Sequence, residues 1–188
     1  MESVPMSVRS VVTASVLALS VTTCLAAEPL KDEASGLAVL PPDGYEASKT
    51  EGDPRYAAVF AVQKGGEGDT GCKVAFQAAP QNAALGQEEI NAFTQKKEWI
   101  DLIRATLALR YDVASVDPFE QGGLAGAAVV ADFKPVEGEP RASEVRSYLV
   151  LIDTPKGRTT IVCVGDKAGF DARKPEFEAI ARAVSPPR

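Results

Sequence analysis

Apolar and polar positions change their period several times along the chain, and each change marks an element. Leu37-Ala38-Val39-Leu40 is a short apolar run stopped by Pro41-Pro42, and Asp43-Gly44 then turns the chain into Tyr45-Glu46-Ala47-Ser48. From Tyr56 to Gln63 the residues are apolar without a helical repeat and run out at glycines, which predicts a strand. Cys72 to Ala78 alternates: Cys72, Val74 and Phe76 share one face, Lys73 and Gln77 the other, as in a half-buried strand. The polar stretch from Glu28 to Ser35 predicts a loose beginning.

A helical period follows from about Gln87 to Tyr111. Glu88 and Glu89 stand in the first turn, where negative charge meets the positive end of the helix dipole. Ile90, Phe93, Ile100, Ile103 and Leu107 form one stripe, widened by Trp99, Leu102 and Leu109, and a stripe of that kind is core. Lys96, Lys97, Glu98, Asp101 and Arg104 make its solvated side.

Period two then returns. Asp112 to Val116 alternates, and Gly122 to Gly126 leads into the apolar run from Ala127 to Lys134. Glu144 to Asp153 and Thr159 to Val164 flank Thr154-Pro155-Lys156-Gly157, a tight turn by composition with Pro second and Gly fourth, so the two strands form a hairpin. Both faces of this hairpin are apolar, which predicts a central place in the sheet. A last helix is expected around Pro175 as a first-turn proline, with Phe177, Ile180, Ala181 and Val184 on its buried face, Glu178 and Arg182 as a surface pair, and Ser185-Pro186-Pro187 as its stop.

Strands, a long helix, more strands at hairpin spacing and a C-terminal helix define an α+β fold. The expectation is an antiparallel sheet of about six or seven strands with both helices packed on it.

The N-terminus carries a different message. Arg9 precedes a mostly apolar run from Val11 to Val21, and Cys24-Leu25-Ala26-Ala27 closes it with small residues before polar sequence begins. Residues 1–26 therefore read as a secretory signal cut after Ala26 or Ala27, leaving residues 27–188 as one domain. The run is too short and too rich in Ser and Thr to be a stable membrane span. Lipoprotein processing at Cys24 would want a small residue just before it, and Thr23 stands there. The expected location is the periplasm or the extracellular medium.

Export changes the meaning of the cysteines. Three are present in 188 residues, and loss of Cys24 leaves Cys72 and Cys163, an even pair in an oxidising compartment, for which one disulfide is the default. No Cys-x-x-Cys is present to lower a thiol pKa, so the pair reads as structural rather than catalytic.

Composition narrows the chemistry. The chain has no histidine, which removes Ser-His-Asp and Cys-His nucleophilic sites and His-ligated zinc. With 20 Lys and Arg against 26 Asp and Glu, the net charge of −6 argues against a nucleic-acid partner. Gly66-Glu67-Gly68-Asp69-Thr70-Gly71 matches the letters of a dinucleotide-binding loop, but it joins two predicted strands instead of opening a helix, and its acids repel phosphate. No serine-nucleophile motif and no calcium loop is present, and no acidic pair stands out as a catalytic couple. No catalytic, cofactor-binding or metal-binding residue is assigned, and no cofactor is expected.

Three segments carry a family resemblance. They are the opening Leu37 to Tyr45, with its Pro-Asp-Gly-Tyr; the Gly122-Gly123-Leu124-Ala125-Gly126 turn; and the closing Arg146-Ser147-Tyr148 strand, Thr159 to Cys163 strand and Phe177-Glu178-Ala179-Ile180 helix. In their order they resemble the PsbP-like family, named for an extrinsic photosystem II protein and including small secreted bacterial proteins. The resemblance implies an antiparallel sheet flanked by helices and action through protein partners rather than catalysis. Plant members have histidines available for metal contact; this chain has none, so no functional residue is carried over. The resulting expectation is a non-enzymatic exported accessory or binding protein, set in envelope maintenance. The alternative is a carboxylate-based hydrolase or a small-molecule-binding protein with a pocket between the long helix and the sheet.

Overall fold

A computed structural model describes residues 28–188 apart from Asp69 and Val136. The expected signal segment, its expected cleavage site and Cys24 lie outside the described residues. Seven antiparallel strands form the main sheet: β3 (Tyr45–Lys49), β4 (Ala58–Lys64), β5 (Gly71–Ala78), β6 (Tyr111–Gln121), β7 (Leu124–Phe133), β8 (Val145–Thr154) and β9 (Gly157–Asp166). Their spatial order is β3-β4-β5-β9-β8-β7-β6. The predicted hairpin is therefore central, and Pro155-Lys156 is its two-residue loop, with Thr154 opposite Gly157. This is the expected α+β architecture.

A second, three-stranded sheet joins the chain ends. β1 (Leu30–Lys31) and β10 (Val184–Ser185) both pair with β2 (Ala38–Val39). The polar start is consequently ordered rather than loose. Asp32, 5% exposed, accepts hydrogen bonds from the Ser35 amide (2.8 Å), the Ser35 hydroxyl (2.7 Å) and Lys49 Nζ (2.5 Å), and that pinned turn is what holds β1 against β2.

Each face of the main sheet carries its own core. On one face the C-terminal helix α3 (Phe170–Arg182) buries Phe170, Phe177 and Ile180 against Phe60, Val74, Tyr148, Val150 and Ile161. On the other, Trp99 and Ile103 pack over Ala127, Val129, Leu149 and Leu151. The long helix is in fact two: α1 (Gln87–Thr94) and α2 (Lys97–Leu107). They break because Lys96 is extended (φ −75°, ψ 144°), its N–H closing a tight turn on the Phe93 carbonyl at 3.0 Å. Leu109 falls in the turn beyond α2, and Tyr111 already belongs to β6.

Helix α3 begins five residues before Pro175, so the proline sits inside it rather than in its first turn. Phe170, 1% exposed, meets the Phe177 ring in a tilted contact, centroids 5.9 Å apart, which anchors the turn ahead of the proline, whose N–H is missing from the helix. Glu178 is engaged by Lys174 instead of Arg182. Arg182 donates to the Glu120 carbonyl at 3.0 Å and lies over the Phe119 ring at 5.2 Å.

Candidate binding cleft

Strand β5 leaves the sheet at Ala78 and passes through a 3-10 turn (Pro80–Ala84) and Leu85 into α1. Three amide side chains tie this connection to the loop end of the central strands. Asn82 Nδ2 donates to the Thr154 carbonyl (3.1 Å), and Gln87 Nε2 to the Asp153 carbonyl (3.1 Å) and to Asn91 Oδ1 (2.9 Å). Asn91 spans the Gly122-Gly123 turn, donating to the Gly123 carbonyl (2.8 Å) and accepting from the Ala125 amide (3.0 Å). Glu89 caps the helix start through the Gly86 N–H at 2.9 Å.

The anchoring sets which apolar groups are covered. Ile90, Trp99 and Ile103 go under; Leu85, Phe93 and Leu102 remain 44%, 49% and 60% exposed. Those three line one cleft of about 340 Å³, between α1, the start of α2 and the ends of β5, β8 and β9. Trp99, the chain's one tryptophan, is part of its floor. The sequence stripe put Phe93, Leu102 and Leu109 in the core; the helix break rotates them out of it.

Polar groups occupy the far wall. Arg158 and Asp153 face each other across β8 and β9 and form a bidentate pair, Nε to Oδ1 and Nη2 to Oδ2, both 2.7 Å. The Asp153 carboxylate bonded to it raises the Arg158 guanidinium above its ordinary pKa, and the formal charges of the two residues cancel. Arg158 Nη1 and the side-chain amides of Gln77 and Gln81 make no hydrogen bond among the described residues, and all three groups border the cleft. Asp153 is the cleft's one carboxylate, and two are needed for the acid and base of glycoside hydrolysis. The pair was within reach of the sequence: once Pro155-Lys156 is read as the turn, Asp153 and Arg158 must oppose one another.

The other residues singled out from sequence serve elsewhere. Cys72 and Cys163 are bonded on the α3 face of β5 and β9, 3% and 0% exposed. The glycine-rich loop joins β4 to β5, as expected, and is held by salt bridging: Arg173 Nη1 meets Glu67 Oε2 at 2.7 Å and donates to Thr70 Oγ1 at 3.1 Å. Tyr45, from the Pro-Asp-Gly-Tyr segment, donates to Glu176 Oε2 at 2.5 Å and accepts from Arg173 Nη2 at 3.3 Å. Burial first, and the Glu176 carboxylate second, push the Tyr45 phenol up from its usual pKa. Among the described residues no three His, Cys, Asp or Glu side chains cluster to hold a metal ion, and no helix is long and apolar enough to cross a membrane.

No protein-family model and no curated protein sequence matches the chain. Among solved structures it is similar to cyanobacterial PsbP (CyanoP) from Synechocystis sp. PCC 6803, with a TM-score of 0.55 at 12% identity, covering 90% of this chain and 98% of that one. A protein of unknown function, PA94 from Pseudomonas aeruginosa, overlays with a TM-score of 0.43 at 9% identity, covering 85% of this chain and 96% of that one. The fold is PsbP-like, and the likeness is one of fold.

Proposed function

We propose that the chain is a non-enzymatic accessory protein, exported to the envelope or beyond, that works by binding a protein partner at the cleft between α1, α2 and the sheet. One observation carries this. Of the five large apolar side chains exposed among the described residues, Leu85, Phe93 and Leu102 converge on a single cleft over a buried tryptophan. Exposed apolar groups gathered in one place mark interaction sites, whereas scattered ones do not.

Export rests on the signal segment, with cleavage after Ala26 or Ala27, and is supported by the Cys72–Cys163 bond, which suits an oxidising compartment. The hydrolase reading loses ground because the cleft's one carboxylate is held by Arg158. A photo-crosslinking amino acid at position 102, in cells exporting the full chain, tests the proposal. A defined protein adduct that disappears when Phe93 is changed to Ser is the expected result. Recovery of no specific protein, together with turnover of a glycan or ester substrate, overturns it.

A further inference from the structure

The cleft has a composition that selects among occupants, and the inference that follows rests on the binding role proposed above. Its apolar part is open at the rim (Leu85, Phe93, Leu102) and aromatic at the floor (Trp99). Its polar part is neutral: Asp153 cancels Arg158, leaving the Nη1 donors of Arg158 and the free amides of Gln77 and Gln81. An amide side chain offers one donor group and one acceptor, which is what a peptide unit offers in return.

An alkyl chain would fill the apolar part but leave those amides and the guanidinium without partners. A sugar would satisfy the polar wall and lay a C–H face on Phe93, but Leu85 and Leu102, 44% and 60% exposed, would stay in water. A charged ligand finds no counter-charge, since the one cation present is already bonded to a carboxylate. A folded partner brings a broad face of ~800 Å², whereas a concave cleft of about 340 Å³ has room for a few side chains and a stretch of backbone. We infer that the occupant is a short, extended, uncharged segment of a protein partner, with an aromatic or aliphatic side chain seated between Phe93, Leu102 and Trp99 and its backbone amides meeting Gln77, Gln81 and Arg158.

Trp99 makes this directly measurable, because all tryptophan emission comes from the cleft floor. A displayed library of random nine-residue peptides is selected on the folded, oxidised protein, and enriched sequences are synthesised and titrated by Trp99 fluorescence. The expected result is enrichment of peptides that carry an aromatic or aliphatic anchor and no charge near it, with saturable emission changes. Affinity should drop at least about tenfold in Phe93→Ser and in Leu102→Ser, both exposed positions that leave the core intact, and stay within about twofold in Lys73→Glu, away from the cleft. Far-ultraviolet circular dichroism confirms that each variant is folded. Enriched peptides that ignore Phe93→Ser and Leu102→Ser, or that carry charged anchors, overturn the inference. The neutral dye N-phenyl-1-naphthylamine separates the two levels of failure. Saturable dye binding without peptide binding, and with no crosslinked protein at position 102, makes the cleft a small-molecule site and overturns both readings; a specific crosslinked protein at position 102 without peptide binding overturns the peptide alone.

Discussion

Cys72 and Cys163 are register partners on adjacent antiparallel strands, their Cα atoms 3.9 Å apart and their sulfurs bonded within the core beneath α3. The bond ties β5 to β9 across 91 residues of sequence that include α1, α2 and strands β6 to β8. Closing so long a loop in the unfolded chain is worth about 4–5 kcal/mol by loop entropy.

Replacing both cysteines by Ala should therefore lower unfolding stability by roughly 2–5 kcal/mol without changing the folded secondary structure. Urea unfolding followed by circular dichroism reads this, and an unchanged midpoint would count against it. Mass spectrometry of the unreduced mature protein should find the Cys72 and Cys163 peptides linked, and alkylatable thiols at both positions would contradict the bond.

Asp32 makes stability depend on acid. Hydrogen bonds from Lys49 and from the Ser35 side chain and amide lower its pKa from the usual carboxylate value to about 2. A depressed carboxylate contributes stability that is fully present above its unfolded pKa and is lost as pH falls through the folded one, here between about 4 and about 2. Lys49 is well exposed, so screening reduces the contribution to the order of 1 kcal/mol. Asp32→Asn should lose this at neutral pH and show a flatter decline below pH 4; parallel acid curves for the two proteins would refute the assignment.

The strands were legible because their signals are local. Pro155 and Gly157 set a turn by themselves, and the alternation of Cys72, Val74 and Phe76 decides a face without reference to any other element. The helix break was not legible, because Gln95, Lys96 and Lys97 are all good helix formers and the apolar stripe can be phased straight through them. What separates α1 from α2 is distant: Asn91 bonds to Gly123 and Ala125, 32 and 34 residues away, and orients α1 independently of α2. The cleft shares that origin, since Leu102 and Phe93 face water only because of the break. Glu28 to Ser35 misled for a related reason: the two-residue strand it forms pairs with Ala38–Val39, whose other edge is taken by Val184–Ser185 from far along the chain, and its turn is held by Lys49 reaching Asp32.

Gly126, in the glycine-rich segment behind the family resemblance, has a steric reason to be glycine. A Cβ there would stand 2.1 Å from the Leu151 carbonyl oxygen and 3.1 Å from its carbon, and backbone in the middle of β8 has no room to retreat. Gly126→Ala should cost at least ~1–3 kcal/mol, the usual cost of forcing a methyl into a packed site. A lowered urea midpoint with an unchanged slope is the expected signature; full stability would mean that the β7–β8 pairing yields more readily than its geometry indicates.

Arg173 ties the glycine-rich loop to the sheet through Glu67 and Thr70. Its guanidinium joins Glu67 and Thr70 of the loop to Tyr45 of β3 and lies over the Phe177 ring at 5.2 Å. Arg173→Met keeps an aliphatic stem over Phe177 and removes every donor, so hydrogen exchange should quicken across residues 64–70 while β8 and β9 stay protected. Acid should likewise lower the protection factors of these amides in the native protein. The Thr70 hydroxyl first, and the charge of Arg173 next, hold Glu67 below the usual carboxylate range, so the tie is complete above that range and is lost as pH falls through the lowered value. Glu67→Gln should abolish the pH dependence of the protection factors in this loop, exchange rates being corrected for their intrinsic pH dependence, while leaving that of the Asp32 turn in place. Unaltered loop exchange in Arg173→Met would mean that the backbone of the β4–β5 hairpin, and not the guanidinium, sets the conformation.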